Sequence, residues 1–225
     1  MSGKLFLVSI PIGNFDDLTF RALKILNDAD FIICEDFKEA NRFLNHFEIK
    51  KELFLLNEHN EKEATNDLLA KLSEGQNAAL ISDCGTPVFS DPGLLLVQKC
   101  IRKNIQVIPI PGVASILPAL VASGFDINKF YYFGWLSPKK EIRRKQLLQL
   151  KQIRELIVIL DTPYRIKTLL KDASLILGKK TKVVLAYQLT MQNEEFFRGT
   201  AEDIYNIAEK RNLKGEFVLL VDNRV

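Results

Sequence analysis

The sequence predicts an α/β protein of two domains, and three observations lead to that prediction. Short apolar β-type runs alternate with helical patterns through the first half, which implies a largely parallel sheet covered by helices. In the second half the strand candidates crowd together with fewer helices between them, which implies a mixed sheet. The pattern changes near Gly124, so residues 1–123 are expected to form a doubly wound domain and residues 124–225 a second α/β domain.

The elements follow in order. Lys4 to Ile10 reads as a strand, and Asp16 or Asp17 can cap a helix running to about Asp28, with Leu18, Ala22, Ile25 and Leu26 on one face. Phe31 to Cys34 is a strand, Lys38 to Phe47 a helix, Leu53 to Leu56 a strand and Glu61 to Leu72 a helix. Ala78 to Ile81 is a strand, Gly93 to Arg102 a helix and Ile105 to Ile108 a strand, followed by a helix from about Val113 to Ala122. Beyond Gly124, Phe130 to Trp135 and Leu156 to Leu160 are strands separated by a helix rich in Lys and Arg. A helix near Ile166 to Leu177 precedes the strand candidates Lys182 to Leu189, Glu195 to Arg198 and Glu216 to Val221, with the helix Ala201 to Lys210 among them.

Composition bounds the function. Apolar residues make up 47% and charged residues 26% of 225 residues, a balance that supports a packed core rather than disorder. A net charge of +3 permits an RNA substrate, although a protein binding nucleic acid through bulk charge alone is usually more basic. Cys34, Cys84 and Cys100 lack the spacing of a disulfide framework, and neither His46 nor His59 pairs with them at zinc-site spacing, so no metal is expected. The uncharged stretch from Ile105 to Phe125 is interrupted by Pro109, Pro111, Gly112, Pro118 and Gly124. It therefore reads as strand, turn and helix rather than a membrane span, and a cytoplasmic protein is expected.

In open α/β sheets ligands bind beyond the carboxyl ends of the strands. That rule selects five loops: Pro11-Ile12-Gly13-Asn14, Glu35-Asp36, Glu58-His59-Asn60, Ser82-Asp83-Cys84-Gly85-Thr86-Pro87, and Pro109-Ile110-Pro111-Gly112. Turn formation explains their Gly and Pro, but it does not require so many carboxylates just after buried strands. The fourth loop extends to Asp91-Pro92-Gly93, where Asp91 can cap the next helix with Pro92 at its first position. The first turn has no G-x-G-x-x-G, and neither a phosphate-binding P-loop nor a G-x-S-x-G elbow occurs. A nucleotide-like ligand without a diphosphate fits these absences better than NAD or ATP.

Those same stretches, together with Ala29-Asp30, Glu61 and Ser90-Asp91-Pro92-Gly93, resemble the RsmI family. Its members are ribosomal RNA small-subunit ribose 2′-O-methyltransferases within the tetrapyrrole methylase superfamily. The resemblance covers nearly the whole chain. It departs from the family pattern at Ile10, Phe37-Lys38, Cys84, Leu160-Asp161-Thr162-Pro163-Tyr164-Arg165 and Gln188-Leu189-Thr190-Met191.

The resemblance implies a class III methyltransferase fold, with S-adenosylmethionine held in a cleft between two α/β domains, and a homodimer. It also implies donor contacts from Pro11, Asp83, Cys84, Gly85, Thr86, Asp91, Pro111, Gly112, Ser115, Leu160, Tyr187 and Gly215. Ser115 is equally well explained as a small residue inside a helix. A ribose hydroxyl is a weak nucleophile that a positioned base would activate, and Glu35, Asp36 and Glu58 are the candidates. Each could instead cap a helix or join an ion pair.

Small-subunit ribosomal RNA, or the subunit itself, is the implied partner. Lys139, Lys140, Arg143, Arg144, Arg165 and His59 are its candidate contacts, although a solvated helix face also explains the basic cluster. Tyr131, Tyr132 and Trp135 could stack on bases. Two alternatives remain open on sequence alone: C-methylation of a tetrapyrrole, and a non-catalytic donor-binding RNA or ribosome-assembly factor.

Overall fold

A computed structural model describes residues 2–224 and divides the chain into two compact units, Met1–Ala114 and Ser115–Val225. The first unit is a five-stranded sheet formed by β1 (Lys4–Val8), β2 (Phe31–Cys34), β3 (Glu52–Leu55), β4 (Ala78–Leu80) and β5 (Gln106–Ile110). The strands are all parallel, in the order β3-β2-β4-β1-β5. Four helices connect them: α1 (Phe20–Asp28), α2 (Phe37–His46), α3 (Glu61–Ser73) and α4 (Leu94–Arg102).

Side-chain alternation along the strands builds a separate core on each face. Val8, Ile32, Cys34 and Ala79 meet Ala22 and Leu26 of α1 and Phe43 and Leu44 of α2. Leu5, Phe31, Ile33 and Leu80 meet Leu68 and Leu72 of α3 and Leu96 and Cys100 of α4. This is the doubly wound arrangement expected from the alternating pattern. Strand order reverses after β3, where β4 inserts between β2 and β1, so the carboxyl ends of β2, β4, β1 and β5 adjoin.

The second unit holds the mixed sheet β6-β7-β10-β8-β9, formed by β6 (Phe130–Trp135), β7 (Leu156–Asp161), β8 (Lys182–Tyr187), β9 (Glu195–Thr200) and β10 (Phe217–Asp222). Only β6 and β7 run parallel; β10 is antiparallel to both β7 and β8, and β9 to β8. Helices α6 (Lys140–Leu150), α7 (Ile166–Leu177) and α8 (Ala201–Lys210) bury Leu147, Leu169, Leu170 and Ile204 against one face, on Ile157, Ile159, Val183, Leu185 and Leu219. Helix α5 (Ile116–Val121) packs against β10 with Ala119 and Leu120 buried. That packing places the division at Ala114/Ser115, before the Gly124 position at which the sequence pattern changes.

Two local expectations differ in the structure. Thr19, not Asp16 or Asp17, caps α1 by accepting from Ala22 N–H, and the two aspartates form a short 3-10 turn capped by Asn14. Asp91 does not cap α4. The chain turns at Gly93 (φ 119°), α4 begins at Leu94, and the cap comes from Glu61 of α3, whose Oε1 accepts from the N–H groups of Gly93 (2.9 Å) and Leu95 (3.2 Å). Cys84 is exposed, whereas Cys34 and Cys100 are buried. Among the described residues no helix is long and apolar enough to cross a membrane, and no His, Cys, Asp or Glu cluster is placed to hold a metal.

Candidate active site

The carboxyl end of the first unit's sheet is tied together by short polar contacts. Ile10 and Gly85 exchange backbone hydrogen bonds (2.9 and 3.0 Å), which brings the turn after β1 against the turn after β4 and places Pro11 beside Gly85. The hydroxyls of Ser9 and Thr86 lie 2.9 Å apart, and Thr86 Oγ1 donates to the Val113 carbonyl at 3.3 Å. Gly112 lies against Ser9 so closely that a Cβ there would meet Ser9 Cβ at 2.9 Å and its carbonyl oxygen at 3.1 Å. Pro11, Gly85, Thr86 and Gly112 therefore converge on one rim, with Asp83, exposed Cys84 and exposed Pro111 in the same loops. Ser115 opens the second unit at the amino end of α5 and makes no side-chain capping bond.

The loop from Ser82 to Gly93 is conformationally demanding. Gly85 (φ 75°) and Gly93 adopt left-handed conformations, as do Val88 (φ 69°) and Ser90 (φ 68°). A β-branched residue in that region is strained, and such strain clusters where function requires a fixed loop. The cap from Glu61 holds one end of this loop and the Ile10–Gly85 pairing holds the other.

Carboxylates crowd the rim. Burial, with Asp83, Asp91, Glu58 and Asp36 adding to it, pushes the half-buried Glu35 carboxyl up to about 7. Asp91, freed from capping, is pushed up to about 6 by burial and then by Asp83, while a hydrogen bond from Ser82 opposes the shift. Asp83 is raised by burial and then by Asp36 and Glu39, against a backbone hydrogen bond from Asp36. Besides burial, the groups that raise these three are like-charged carboxylates, so a cationic ligand would relieve their mutual repulsion. S-adenosylmethionine, with its sulfonium and its ammonium, is such a ligand, and the residues present fit it.

The three candidate bases differ in surroundings. Asp36 Oδ1 caps α2, accepting from Lys38 N–H at 2.7 Å and Glu39 N–H at 3.1 Å. Glu58 and His59 are exposed on the turn after β3, which Asn57 and Asn60 organise through side-chain bonds to its backbone. Glu35 remains, half-buried among the carboxylates and with an affinity for a proton matched to neutral pH.

In the second unit, Leu160 near the end of β7, Tyr187 at the end of β8 and Gly215 just before β10 lie at one end of the sheet. A Cβ on Gly215 would lie 2.6 Å from Gln188 Cγ and 2.7 Å from Tyr187 Cζ, so only glycine lets the backbone pass there. Gln188 (φ 49°) and Thr190 (φ 66°) continue that tight turn.

The basic cluster divides. Lys139 and Lys140 are exposed, but Arg143 is only 3% exposed and grips Asp172 with two hydrogen bonds (3.0 and 2.8 Å) while reaching the carbonyls of Ser137 and Pro138. Arg144 pairs with the other oxygen of Asp172 at 2.8 Å, and Arg165 pairs with buried Asp161. Arg143 is thus an internal brace rather than a surface contact, because burying an arginine requires a partner that engages it fully. Sequence reasoning assigned no role to Ser9 or Asp161 and missed the capping role of Glu61. A polar residue at the carboxyl end of an apolar strand was the available signal for the first two.

Comparison with known proteins identifies the family. The profile of the Tetrapyrrole (Corrin/Porphyrin) Methylases matches residues 4–205. The chain is 41% identical over 220 residues to Ribosomal RNA small subunit methyltransferase I of Halalkalibacterium halodurans, covering 98% of this chain and 76% of that protein. It is 38% identical to the Thermotoga maritima protein of the same name, covering 99% of both. Two solved structures share the fold. A diphthine synthase superposes with a TM-score of 0.74 at 16% identity, covering 97% of this chain and 89% of that one. A cobalt precorrin-4 methyltransferase superposes with a TM-score of 0.68 at 18% identity, covering 97% and 94%. Fold and rim together define a class III methyltransferase that takes its methyl group from S-adenosylmethionine. The chain belongs to the tetrapyrrole methylase family and, within it, to the ribosomal RNA small subunit methyltransferase I group.

Proposed function

We propose that this enzyme methylates a ribose 2′-hydroxyl, that of a cytidine, in small-subunit ribosomal RNA. The observation that carries the reading is the similarity, 41% at nearly full coverage of the chain, to a protein named for ribosomal RNA methylation. The 2′-hydroxyl and the cytidine rest on the family resemblance of the loops after β1, β2, β3, β4 and β5, as do a homodimeric state and work in the cytoplasm.

Pro11, Asp83, Cys84, Gly85, Thr86, Asp91, Pro111, Gly112 and Ser115 are the proposed donor contacts of the first rim and the linker. Leu160, Tyr187 and Gly215 are those of the second unit. Glycines there admit backbone groups to the ligand, and Asp83 and Asp91 offset its positive charge. The bound donor supplies an electrophilic methyl group. Glu35 accepts the proton of the attacking hydroxyl, a role supported by its pKa near 7. Lys139, Lys140, Arg144, Arg165 and exposed His59 are the proposed RNA contacts.

Incubating the protein with radiolabelled S-adenosylmethionine and unmodified small ribosomal subunits, then digesting the RNA to nucleosides, tests the proposal. Labelled 2′-O-methylcytidine is expected. Donor binding without label in RNA would overturn the reading and turn attention to tetrapyrrole acceptors.

A further inference from the structure

The carboxyl ends of the parallel pair β6 and β7 bring two aromatic rings and a group of cations together at one end of the second unit's sheet. Register places Trp135 beside Leu160, and the chain leaves β7 through Asp161 into the short turn Pro163–Arg165. Tyr164, at the middle of that turn, is 90% exposed, and Trp135 is 46% exposed. Lys139 and Lys140 follow β6 and are exposed, and Arg165 keeps 21% of its side chain in solvent.

A fully exposed tyrosine on a mobile loop would mean little, since isolated surface aromatics are common. This turn is pinned. Asp161, buried at the end of β7, accepts from Thr162 N–H at 2.7 Å and holds the Arg165 guanidinium on the same oxygen. The two bonds bracket Tyr164, so its ring is presented outward from a fixed backbone. An exposed ring on a fixed turn, beside the held guanidinium of Arg165, suits an unstacked base with its adjoining phosphate, because every base offers a π-face and ordering the protein side costs little.

We propose that Tyr164 is a stacking platform for a nucleobase of single-stranded RNA next to the methylated nucleotide, and that Asp161 is the residue positioning it. The end of the sheet concerned is also that of Leu160 and Tyr187, which places the platform near the second unit's proposed donor contacts. The inference rests on the RNA reading above.

The test compares Tyr164→Ala and Tyr164→Phe with the natural enzyme in steady-state methylation of small ribosomal subunits, alongside donor affinity by calorimetry and Tm. Alanine should raise KM for the RNA substrate about tenfold while phenylalanine stays within about twofold. Donor affinity and Tm should not move. Unchanged KM in Tyr164→Ala overturns the inference while leaving the RNA reading intact. So does a loss that phenylalanine fails to rescue, or one that follows a fall in Tm or a change of oligomeric state. If the natural enzyme itself labels no RNA, the RNA reading falls and this inference with it.

Discussion

Glu35, Asp36 and Glu58 are three carboxylates in similar loops, and their surroundings separate them. Asp36 is engaged by two backbone N–H groups, Glu58 stands in water, and Glu35 is held half-buried among like charges with its pKa raised to about 7. A carboxyl whose proton affinity is brought near the working pH suits a general base. Glu35→Gln is therefore expected to lower kcat by about 10²- to 10⁴-fold with donor affinity retained, as single-turnover assays and calorimetry would check. Normal turnover in this variant would remove Glu35 as the base.

The same shift predicts a pH dependence of stability. The folded pKa lies above the ordinary value of 4.5, so the folded state binds the proton more tightly than the unfolded chain does. Glu35 is then neutral at no cost below about 4.5, and stability is lost as pH rises from there through about 7. Glu35→Gln should accordingly be more stable than the natural protein at pH 8 by roughly 1–2 kcal/mol, after allowing for partial solvent exposure, and so unfold at higher temperature, with the difference gone by pH 4. A difference that persists unchanged at pH 4 would sink the electrostatic explanation.

At the scale of elements, the site depends on contacts between loops rather than within them. The turn after β4 is set by Ile10 on one side and by Glu61 on the other, so α3 and the end of β1 both shape a loop distant from them in sequence. In the second unit, Arg143 and Arg144 converge on Asp172 and fasten α6 to α7. Removing one partner of a buried pair leaves the other charge uncompensated. Asp172→Ala should cost about 3–5 kcal/mol in denaturant unfolding, whereas Arg144→Ala, on the exposed side of the network, should cost under about 1 kcal/mol. Equal losses in the two variants would contradict the burial argument. The sequence made Arg143 look like one more surface cation. Only the fold reveals that its face of α6 points inward, because Asp172 lies 29 residues further along the chain.

At the scale of the whole molecule, a charge of +3 leaves RNA affinity to local cations rather than to a global field. Replacing Lys139 and Lys140 together with alanine should weaken RNA binding and flatten its logarithmic salt dependence by about 1–1.5, since each phosphate contact on a single strand contributes about 0.7. Titrations at several salt concentrations would measure this, and an unchanged slope would exclude those lysines from the RNA surface.

The sequence by itself determined the order and type of nearly every element, because apolar periodicity is local and survives in both units. It also determined which loops end at the ligand-binding edge, because that follows from strand direction alone. Tertiary structure decided what depends on distant partners. It joined α5 to the second unit through packing on β10, moved the cap of α4 from Asp91 to Glu61, and turned Arg143 inward onto Asp172. It also separated Glu35 from its neighbours, since a pKa is set by burial and by charges that the chain brings together only on folding.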